Sequence, residues 1–242
     1  MKDLFSGHAE SYAQYRPTYP PELFSWLVSL VNDRNAAWDC GTGNGQVATV
    51  LARYFTQVYA TDISEQQIAQ AMQLHNIIYK VASAENSGFA DASFDLITVA
   101  QAVHWFQFDY FYAEVKRVLK PAGIIAVIGY GLMYMDEETD AIIQHLYSQT
   151  LGGSWDAERR YLDEGYQTIP FPFTEITAPA FTMTIEWNVQ QLLGYLQTWS
   201  AVKHYEKRTG INPVDKIATQ LTATWKEDVK TVSFPLLVRV GK

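Results

Sequence analysis

A cluster of three glycines constrains the fold of this chain more than any other feature. The segment WDCGTGNGQVATVL begins at Trp38 with apolar residues and an acid, continues through Gly41, Gly43 and Gly45, and ends in a helical pattern. Glycines cost backbone entropy on folding, so such a cluster occurs where the chain turns sharply or approaches a ligand closely. The segment therefore predicts a tight strand-to-helix turn beside a ligand.

Short apolar runs alternate with helical patterns through the first half of the chain, which is typical of a mostly parallel sheet covered by helices on both faces. The runs lie at 36–40, 57–62, 77–81, 94–99 and 124–128. Two later strand-like runs, 173–187 and 233–241, complete a Rossmann-like α/β fold with a seven-strand sheet. Helical patterns between residues 140 and 225 are expected to form a lid over the carboxyl ends of the strands, where open sheets bind ligands.

Composition excludes several functions. The chain has 242 residues, 48% of them hydrophobic, which is enough to bury one large core. Its net charge of −8 argues against a nucleic-acid partner, which requires a basic face. The single cysteine, Cys40, cannot form an intrachain disulfide, and no apolar run is long enough to span a membrane. We therefore expect a cytoplasmic protein that acts on neither nucleic acid nor membrane, and the sequence leaves its oligomeric state open.

The spacing of the glycines narrows the choice of ligand. A dinucleotide fingerprint would place its third glycine where Gln46 stands, and no phosphate-binding GK[ST] follows. Asp39 precedes the glycines, repels phosphate and favours a cationic group. Asp62 ends the second predicted strand, where a carboxylate can accept both hydroxyls of a ribose. A ribose, a cationic portion and no pyrophosphate together describe S-adenosylmethionine.

At this point the chain resembles the class I S-adenosylmethionine-dependent methyltransferases. The segments ASAENSGFADASFDLITVAQAVHWF and RVLKPAG resemble that family's adenine loop, fourth strand and helix-to-strand turn. FSGHAESYAQYRPTYP and YLQTWSAV are similar to its small-molecule branch, which includes trans-aconitate methyltransferases. The resemblance implies in-line methyl transfer to a small-molecule acceptor, with a small carboxylic acid as one acceptor class.

Carried over by position, the resemblance also implies a set of cofactor-binding residues. The methionine end would lie against Asp39, Gly41 and Gly43, and Gly45 also belongs to the cofactor-binding set. Asp62 and Ile63 would hold the ribose and adenine, and Ala84 and Glu85 the adenine edge. Gln101 would face the sulfonium, and Tyr12 and Arg16 would close the N-terminal segment over the amino-acid portion. The chain would be one domain, residues 1–242, in which residues 1–34 cover the cofactor, 35–130 form the core, 131–228 the lid and 229–242 the final strand.

His104 follows the fourth strand and is the candidate catalytic residue. Its ordinary pKa near 6.5 suits a general base for a phenol or an amine, whereas a carboxylate acceptor needs none. An equally good interpretation is a histidine that only packs or bonds within the turn. No tight cluster of acids and histidines suggests a metal.

Other features admit more than one interpretation. The basic residues Lys203, His204, Lys207 and Arg208 either face an anionic substrate or complement the dipole of a helix that ends at Gly210. The aromatic residues of the lid either pack on the sheet or line a substrate pocket. At the level of function, a binding protein without transferase activity remains open as an alternative, while the glycine spacing disfavours a nicotinamide-dependent oxidoreductase.

Overall fold

The computed structural model describes residues 17–242. The strands are β1 (Ala36–Cys40), β2 (Gln57–Asp62), β3 (Ile77–Val81), β4 (Phe94–Ala100), β5 (Leu119–Tyr130), β6 (Glu175–Ile176), β7 (Thr182–Trp187) and β8 (Lys230–Gly241). The α-helices are α1 (Pro21–Ser29), α2 (Gln46–Leu51), α3 (Glu65–Ala69), α4 (Phe108–Val118), α5 (Glu137–His145), α6 (Arg160–Asp163), α7 (Val189–Gln197), α8 (Ser200–Thr209) and α9 (Pro213–Thr224). Short helical turns occupy Val103–Trp105, Leu146–Thr150 and Ala157–Arg159.

The strands form one mixed sheet in the order β3-β2-β1-β4-β5-β8-β6, with β7 paired to another part of β8. Strands β1 to β5 are parallel, and β8 is antiparallel to β5. The chain runs outward from β1 to β3 and then returns to the other side of β1 with β4. This reversal between β1 and β4 is the position where open sheets of this kind bind ligands.

The predicted Rossmann-like, mostly parallel sheet is confirmed, with eight strands instead of the seven expected. The run expected to form one strand over residues 173–187 forms two. Strand β6 pairs with the end of β8 at Val240 and Gly241, while β7 pairs with its beginning, from Lys230 to Pro235. Pro179 lies between β6 and β7. Because proline lacks an N–H and has a fixed φ, it interrupts a strand at this point.

Alternating side chains of the central strands build a core on each face of the sheet, as the period of a strand requires. Ala37 of β1 packs beneath α1 and α2, whereas the adjacent Trp38 packs on the opposite face with residues of α4. Both side chains are fully buried. Two apolar faces explain why the central strands read as nearly continuous apolar runs.

A third hydrophobic cluster holds the lid against the sheet. It contains Trp187 of β7, Leu196 of α7, Leu221 of α9 and Phe234 of β8, all buried. The helices of the lid begin and end at strong local signals, including a capping box at Asn188 and a left-handed glycine after α8. Within residues 17–242, no helix combines the length and apolar character needed to cross a membrane.

Candidate active site

The glycine loop connects β1 to α2 in a conformation that only glycine adopts readily. Gly41, Gly43 and Gly45 have φ values of 69°, 56° and 83°. A Cβ at Gly41 would lie 2.6 Å from the Cβ of Ala102, and one at Gly45 would collide with the hydroxyl of Tyr79. A Cβ at Gly43 would find its nearest neighbour at 3.9 Å, so only the backbone conformation requires glycine there. The three glycines therefore allow both the sharp turn of the backbone and the close approach of neighbouring side chains to the loop.

Asp39 lies beneath this loop with only 1% of its surface exposed. One carboxylate oxygen accepts the hydroxyl of Thr42 at 2.5 Å and the N–H of Ala48 at 3.1 Å. The other accepts the hydroxyl of Thr98 at 2.7 Å. Burial raises the pKa of Asp39 to about 6, although these three hydrogen bonds oppose the increase. The carboxylate thus connects β1, the loop, α2 and β4 by hydrogen bonds beneath the loop. It exposes almost no surface to a ligand.

Asp62 stands at the end of β2, where the sequence predicts it, and also holds the loop. Its Oδ2 accepts the N–H of Gly43 at 2.8 Å, and its Oδ1 accepts the N–H of Ser64 at 2.9 Å. Ser64 caps α3 by accepting the N–H of Gln67. A carboxylate has about four acceptor positions, so two remain on the half-buried Asp62 for further donors. Ile63 follows it and is half-buried.

Ala84 and Glu85 lie in the loop after β3. Ala84 is buried in the same cluster as Trp38. Glu85 is half-buried, and its carboxylate accepts the hydroxyl of Ser83 and the N–H of Gln107, the latter at 3.0 Å. Burial acts to raise the pKa of Glu85, but these hydrogen bonds outweigh it and the pKa is lowered. Glu85 therefore connects this loop to the start of α4.

Gln101 and His104 follow β4 and line one cavity. Gln101 has a φ of 54°, unusual for a residue with a side chain, and its Nε2 donates to the carbonyl of Tyr130 at 3.2 Å. His104 is buried, with its Nδ1 3.0 Å from the hydroxyl of Tyr166. Two of the predicted site residues, Tyr12 and Arg16, lie outside the described residues.

Comparison with known proteins identifies the family. Residues 38–127 match the family described as a methyltransferase domain. A Dictyostelium discoideum protein provisionally named as a methyltransferase is 34% identical over 249 residues, which cover 99% of this chain and 95% of the relative. The chain belongs to the class I S-adenosylmethionine-dependent methyltransferases. The enzyme class that the sequence predicts is thereby confirmed.

Solved structures support the same assignment for this methyltransferase. A protein of Anaeromyxobacter dehalogenans, provisionally named as a type II methyltransferase, is 42% identical with a TM-score of 0.88 and matches over 94% of this chain and 98% of its own. A Bacillus halodurans protein, also provisionally named as a methyltransferase, is 16% identical with a TM-score of 0.51, over 89% of this chain and 96% of its own. The second likeness shows the fold alone.

A cavity of about 100 Å³ separates the strand ends of the methyltransferase from its lid. At 10–15 Å³ for each enclosed water, it offers on the order of ten water-sized positions. Gln101, His104 and Tyr130 line the side formed by β4 and β5, and the lid contributes the opposite wall. The lining residues of the lid are Trp155, Asp156, Arg159, Leu162, Tyr195, Thr198, Trp199 and Ser200.

Tyr195 and Trp199 have both of the roles that their helical spacing allows, packing in the core and lining a pocket. Both line the cavity. Tyr195 also packs on Trp187 and Phe234, with ring centroids 5.1 and 5.6 Å away. Trp199 lies 5.4 Å from the ring of Trp155. The aromatic residues of the lid therefore belong partly to its core and partly to the cavity wall.

Two charged residues of the cavity, Asp156 and Arg159, were missed by the sequence analysis. They lie in the segment WDAERRYLDEG, where acids, bases and aromatics follow no period that distinguishes a site from a surface turn. Burial acts to lower the pKa of Arg159, but Tyr147 and Asp163 outweigh it and the pKa is raised. Arg159 is thus a charged guanidinium at the cavity wall.

The basic residues of α8 support the lid segment that precedes this turn. His204 lies 3.0 Å from the carbonyl of Ser154 through its Nδ1, and Arg208 donates to the hydroxyl of Ser154 at 3.0 Å. Lys207 is exposed. In the part of the chain that the structure describes, no group of three or more acids, histidines or cysteines is placed to hold a metal ion.

Proposed function

We propose that this methyltransferase transfers the methyl group of S-adenosylmethionine, by in-line displacement, to a small molecule held in the cavity beneath the lid. One observation carries the proposal: the glycine loop and the cavity meet at a single short segment after β4. Gly41 approaches Ala102 so closely that a Cβ would not fit between them. The neighbouring Gln101 and His104 line the cavity. A cofactor on the loop and an acceptor in the cavity would thus be neighbours.

The residues around the loop fit S-adenosylmethionine, which supplies an electrophilic methyl group when bound. Asp62 keeps acceptor positions for the ribose hydroxyls, and Ile63, Ala84 and Glu85 are proposed to surround the adenine. Gly41, Gly43 and Gly45 would present backbone to the methionine portion. The role proposed for Asp39 is indirect, since its carboxylate is buried under the loop and can favour a cationic ligand only through its charge. Gln101 is proposed to face the sulfonium, and Tyr12 and Arg16 to cover the amino-acid portion.

A small carboxylic acid, as in the trans-aconitate methyltransferases, is the acceptor class we propose. The guanidinium of Arg159 in the cavity wall supports it, because arginine matches a carboxylate in both charge and geometry. A carboxylate is already nucleophilic at neutral pH, so positioning alone can supply much of the rate enhancement. His104 would act as a general base only for a phenol or an amine.

The same proposal assigns a role to each part of the chain. Residues 1–34 would cover the cofactor, 35–130 bind it, 131–228 enclose the acceptor and 229–242 complete the sheet. The single cysteine, Cys40, is buried, so the chain needs no oxidising compartment and we propose the cytoplasm as its location.

Calorimetric titration with S-adenosylmethionine, S-adenosylhomocysteine and NAD tests the cofactor assignment. We expect the first two to bind and NAD not to bind. Replacing Asp62 with alanine should weaken binding by about 1.5–3 kcal/mol, which is the typical contribution of hydrogen bonds to a charged group. The matched control is Asp215→Ala, which removes an exposed acid of α9, distant in sequence from the loop.

Unchanged affinity in Asp62→Ala would contradict the ribose role, and preferential binding of NAD would contradict the cofactor assignment itself. Methyl transfer is then measured with carboxylate, phenol and amine acceptors. Cofactor binding without transfer to any of these acceptors would favour a silent binding protein over the enzyme proposed here.

A further inference from the structure

Opposite charges stand side by side in the wall of the acceptor cavity. Asp156 precedes the helical turn Ala157–Arg159, and Arg159 ends it. Both line the cavity, and they do not pair with each other: the acid nearest to Arg159 is Asp163, and the base nearest to Asp156 is His204. The wall of one cavity therefore carries both an anion and a cation.

Arg159 is held rigidly by the aromatic residues around it. Its guanidinium lies 5.3 Å from the ring centroid of Tyr147 and 5.0 Å from that of Trp155. The Nε donates to the hydroxyl of Tyr147 at 2.8 Å and lies 3.6 Å from the carboxylate of Asp163. No acceptor among residues 17–242 takes a hydrogen bond from Nη1 or Nη2. The planar end of the side chain thus keeps four N–H donors in the geometry that binds a carboxylate.

Asp156 offers the complementary charge. Its Oδ2 is buried and accepts no hydrogen bond from any described residue. The nearest base is His204, whose Nδ1 is 3.9 Å away and already within 3.0 Å of the carbonyl of Ser154. A buried carboxylate oxygen without a donor is costly, and a cationic ligand would supply the donor. Trp155 and Trp199 line the same cavity, and indole rings attract cations as well as apolar groups.

We propose that the methyl acceptor is a small zwitterion, an aminocarboxylate whose carboxylate binds the Nη atoms of Arg159 and whose ammonium group binds Asp156. Its apolar body would lie among the aromatic side chains of the wall. This inference rests on the proposed function, because it takes the cavity to be the acceptor site. It narrows the proposed carboxylic acid to one that also carries a cationic nitrogen.

The test compares ligands of one carbon skeleton that differ by a single charged group. Each ligand is titrated calorimetrically into the complex with S-adenosylhomocysteine. One set is L-leucine, 4-methylpentanoate and 3-methylbutylamine; the second is L-phenylalanine, 3-phenylpropanoate and 2-phenylethylamine. In at least one set we expect the amino acid to bind about tenfold or more tighter than both analogues, the difference expected for one charged hydrogen-bond partner.

Variants of the two charged residues assign each charge to its partner on the ligand. Asp156→Asn should reduce the advantage of the amino acid over its carboxylate analogue to less than about threefold. Arg159→Lys and Arg159→Gln should weaken both carboxylate-bearing ligands about tenfold or more and leave the amine unchanged. The matched controls are Asp215→Asn and Arg160→Gln, which alter an exposed acid of α9 and the exposed arginine next to Arg159. Thermal unfolding and unchanged affinity for S-adenosylhomocysteine establish that each variant is folded.

The outcomes separate this proposal from the one on which it rests. Failure of S-adenosylhomocysteine to bind the wild-type protein would refute the proposed function. If it binds, equal affinity for the amino acid and its carboxylate analogue would overturn the zwitterion and leave a plain carboxylic acid. Preference for the amine, or no binding by any of the six ligands at millimolar concentration, would overturn it as well.

Discussion

Replacing Asp39 with asparagine should stabilise the folded protein above pH 6, even though it removes the acid of the glycine motif. The carboxylate is buried, and its partners are the hydroxyls of Thr42 and Thr98 and the N–H of Ala48. Asparagine can keep this network. Its oxygen replaces the acceptor for Thr42 and Ala48, and its amide can donate to the hydroxyl of Thr98, since a hydroxyl both donates and accepts.

The expected magnitude follows from the pKa of Asp39. Burial raises it from 3.8 to about 6 in the folded state. Between these values the folded protein holds the proton and the unfolded chain releases it, so the contribution of Asp39 to stability falls as pH rises. At 1.36 kcal/mol per pH unit the loss reaches about 3 kcal/mol above pH 6. The asparagine variant does not titrate and should avoid this loss.

The assay is urea unfolding of wild type and Asp39→Asn at intervals from pH 4.5 to pH 8. The difference in free energy of unfolding should change in favour of the variant by about 2 kcal/mol between pH 4.5 and pH 8, because about 1 kcal/mol of the full effect is already present at pH 4.5. Glu85, Glu114 and Asp136 have lowered pKa values because hydrogen bonds outweigh the effect of burial. They stabilise the protein above their ordinary pKa values and lose that effect as pH falls, but they are present in both proteins and cancel in the difference.

A matched control is Asp95→Asn, which alters another buried acid of the sheet. Asp95 pairs with Lys120 at 2.6 Å and accepts the N–H groups of Asn35 and Ala36. Its replacement leaves Lys120 without a partner anion and should destabilise the protein at neutral pH. A difference for Asp39→Asn that does not vary with pH, or a variant less stable than wild type at pH 8, would refute the reasoning.

Further substitutions test the loop and the cavity. Gly41→Ala should lower the free energy of unfolding, measured in urea, by about 2–4 kcal/mol, because it combines a left-handed φ with a Cβ 2.6 Å from that of Ala102. The control is Gly153→Ala, whose Cβ would meet nothing within 4 Å and which should change stability little. Equal stability of the two variants would contradict the close approach of Gly41 to Ala102. If His104 is a base oriented by Tyr166, His104→Ala should lower kcat by about a hundredfold or more and Tyr166→Phe by a smaller factor with an altered pH profile, both with intact binding of S-adenosylhomocysteine. Tyr112→Phe, which removes a buried hydroxyl without a partner among the described residues, is the control. An unchanged kcat in His104→Ala would contradict a base and agree with the carboxylate acceptor proposed above, which needs none.

The features that sequence predicted well depend on neighbouring residues. Gly41, Gly43 and Gly45 form the expected turn because the backbone has a positive φ at each of these three positions. Ser64 caps α3 through Gln67, three residues along. The alternation of apolar runs with helical patterns predicts a mostly parallel sheet covered by helices, and this prediction was confirmed. Such features can be predicted from short stretches of sequence because the residues that form them are neighbours in the chain.

The features that sequence missed depend on contacts between distant segments. The cavity joins residues 101–105 and Tyr130 to residues 155–162 and 195–200, and no period connects these stretches. The contact between His104 and Tyr166 spans 62 positions. Sequence placed Asp39 at the loop but could not show its burial, because that depends on Thr98 in a strand 59 positions away. The strand-like run is interrupted at Pro179, but the pairing of β6 and β7 with opposite ends of β8 depends on the far end of the chain.

Backbone strain gives an independent reason to place function at this cavity. In the part of the chain that the structure describes, three residues other than glycine have a positive φ: Ala92, Gln101 and Tyr166. Ala92 is an exposed turn residue, but Gln101 lines the cavity, and the buried Tyr166 contacts His104, which also lines it. Such conformations cost on the order of 1–3 kcal/mol and persist where the surroundings impose them. The buried carboxylate of Asp39, one strand away, also costs stability. These destabilising features therefore lie together where the cofactor loop meets the cavity. Such a concentration is expected if this edge of the sheet is maintained for binding and catalysis rather than for stability.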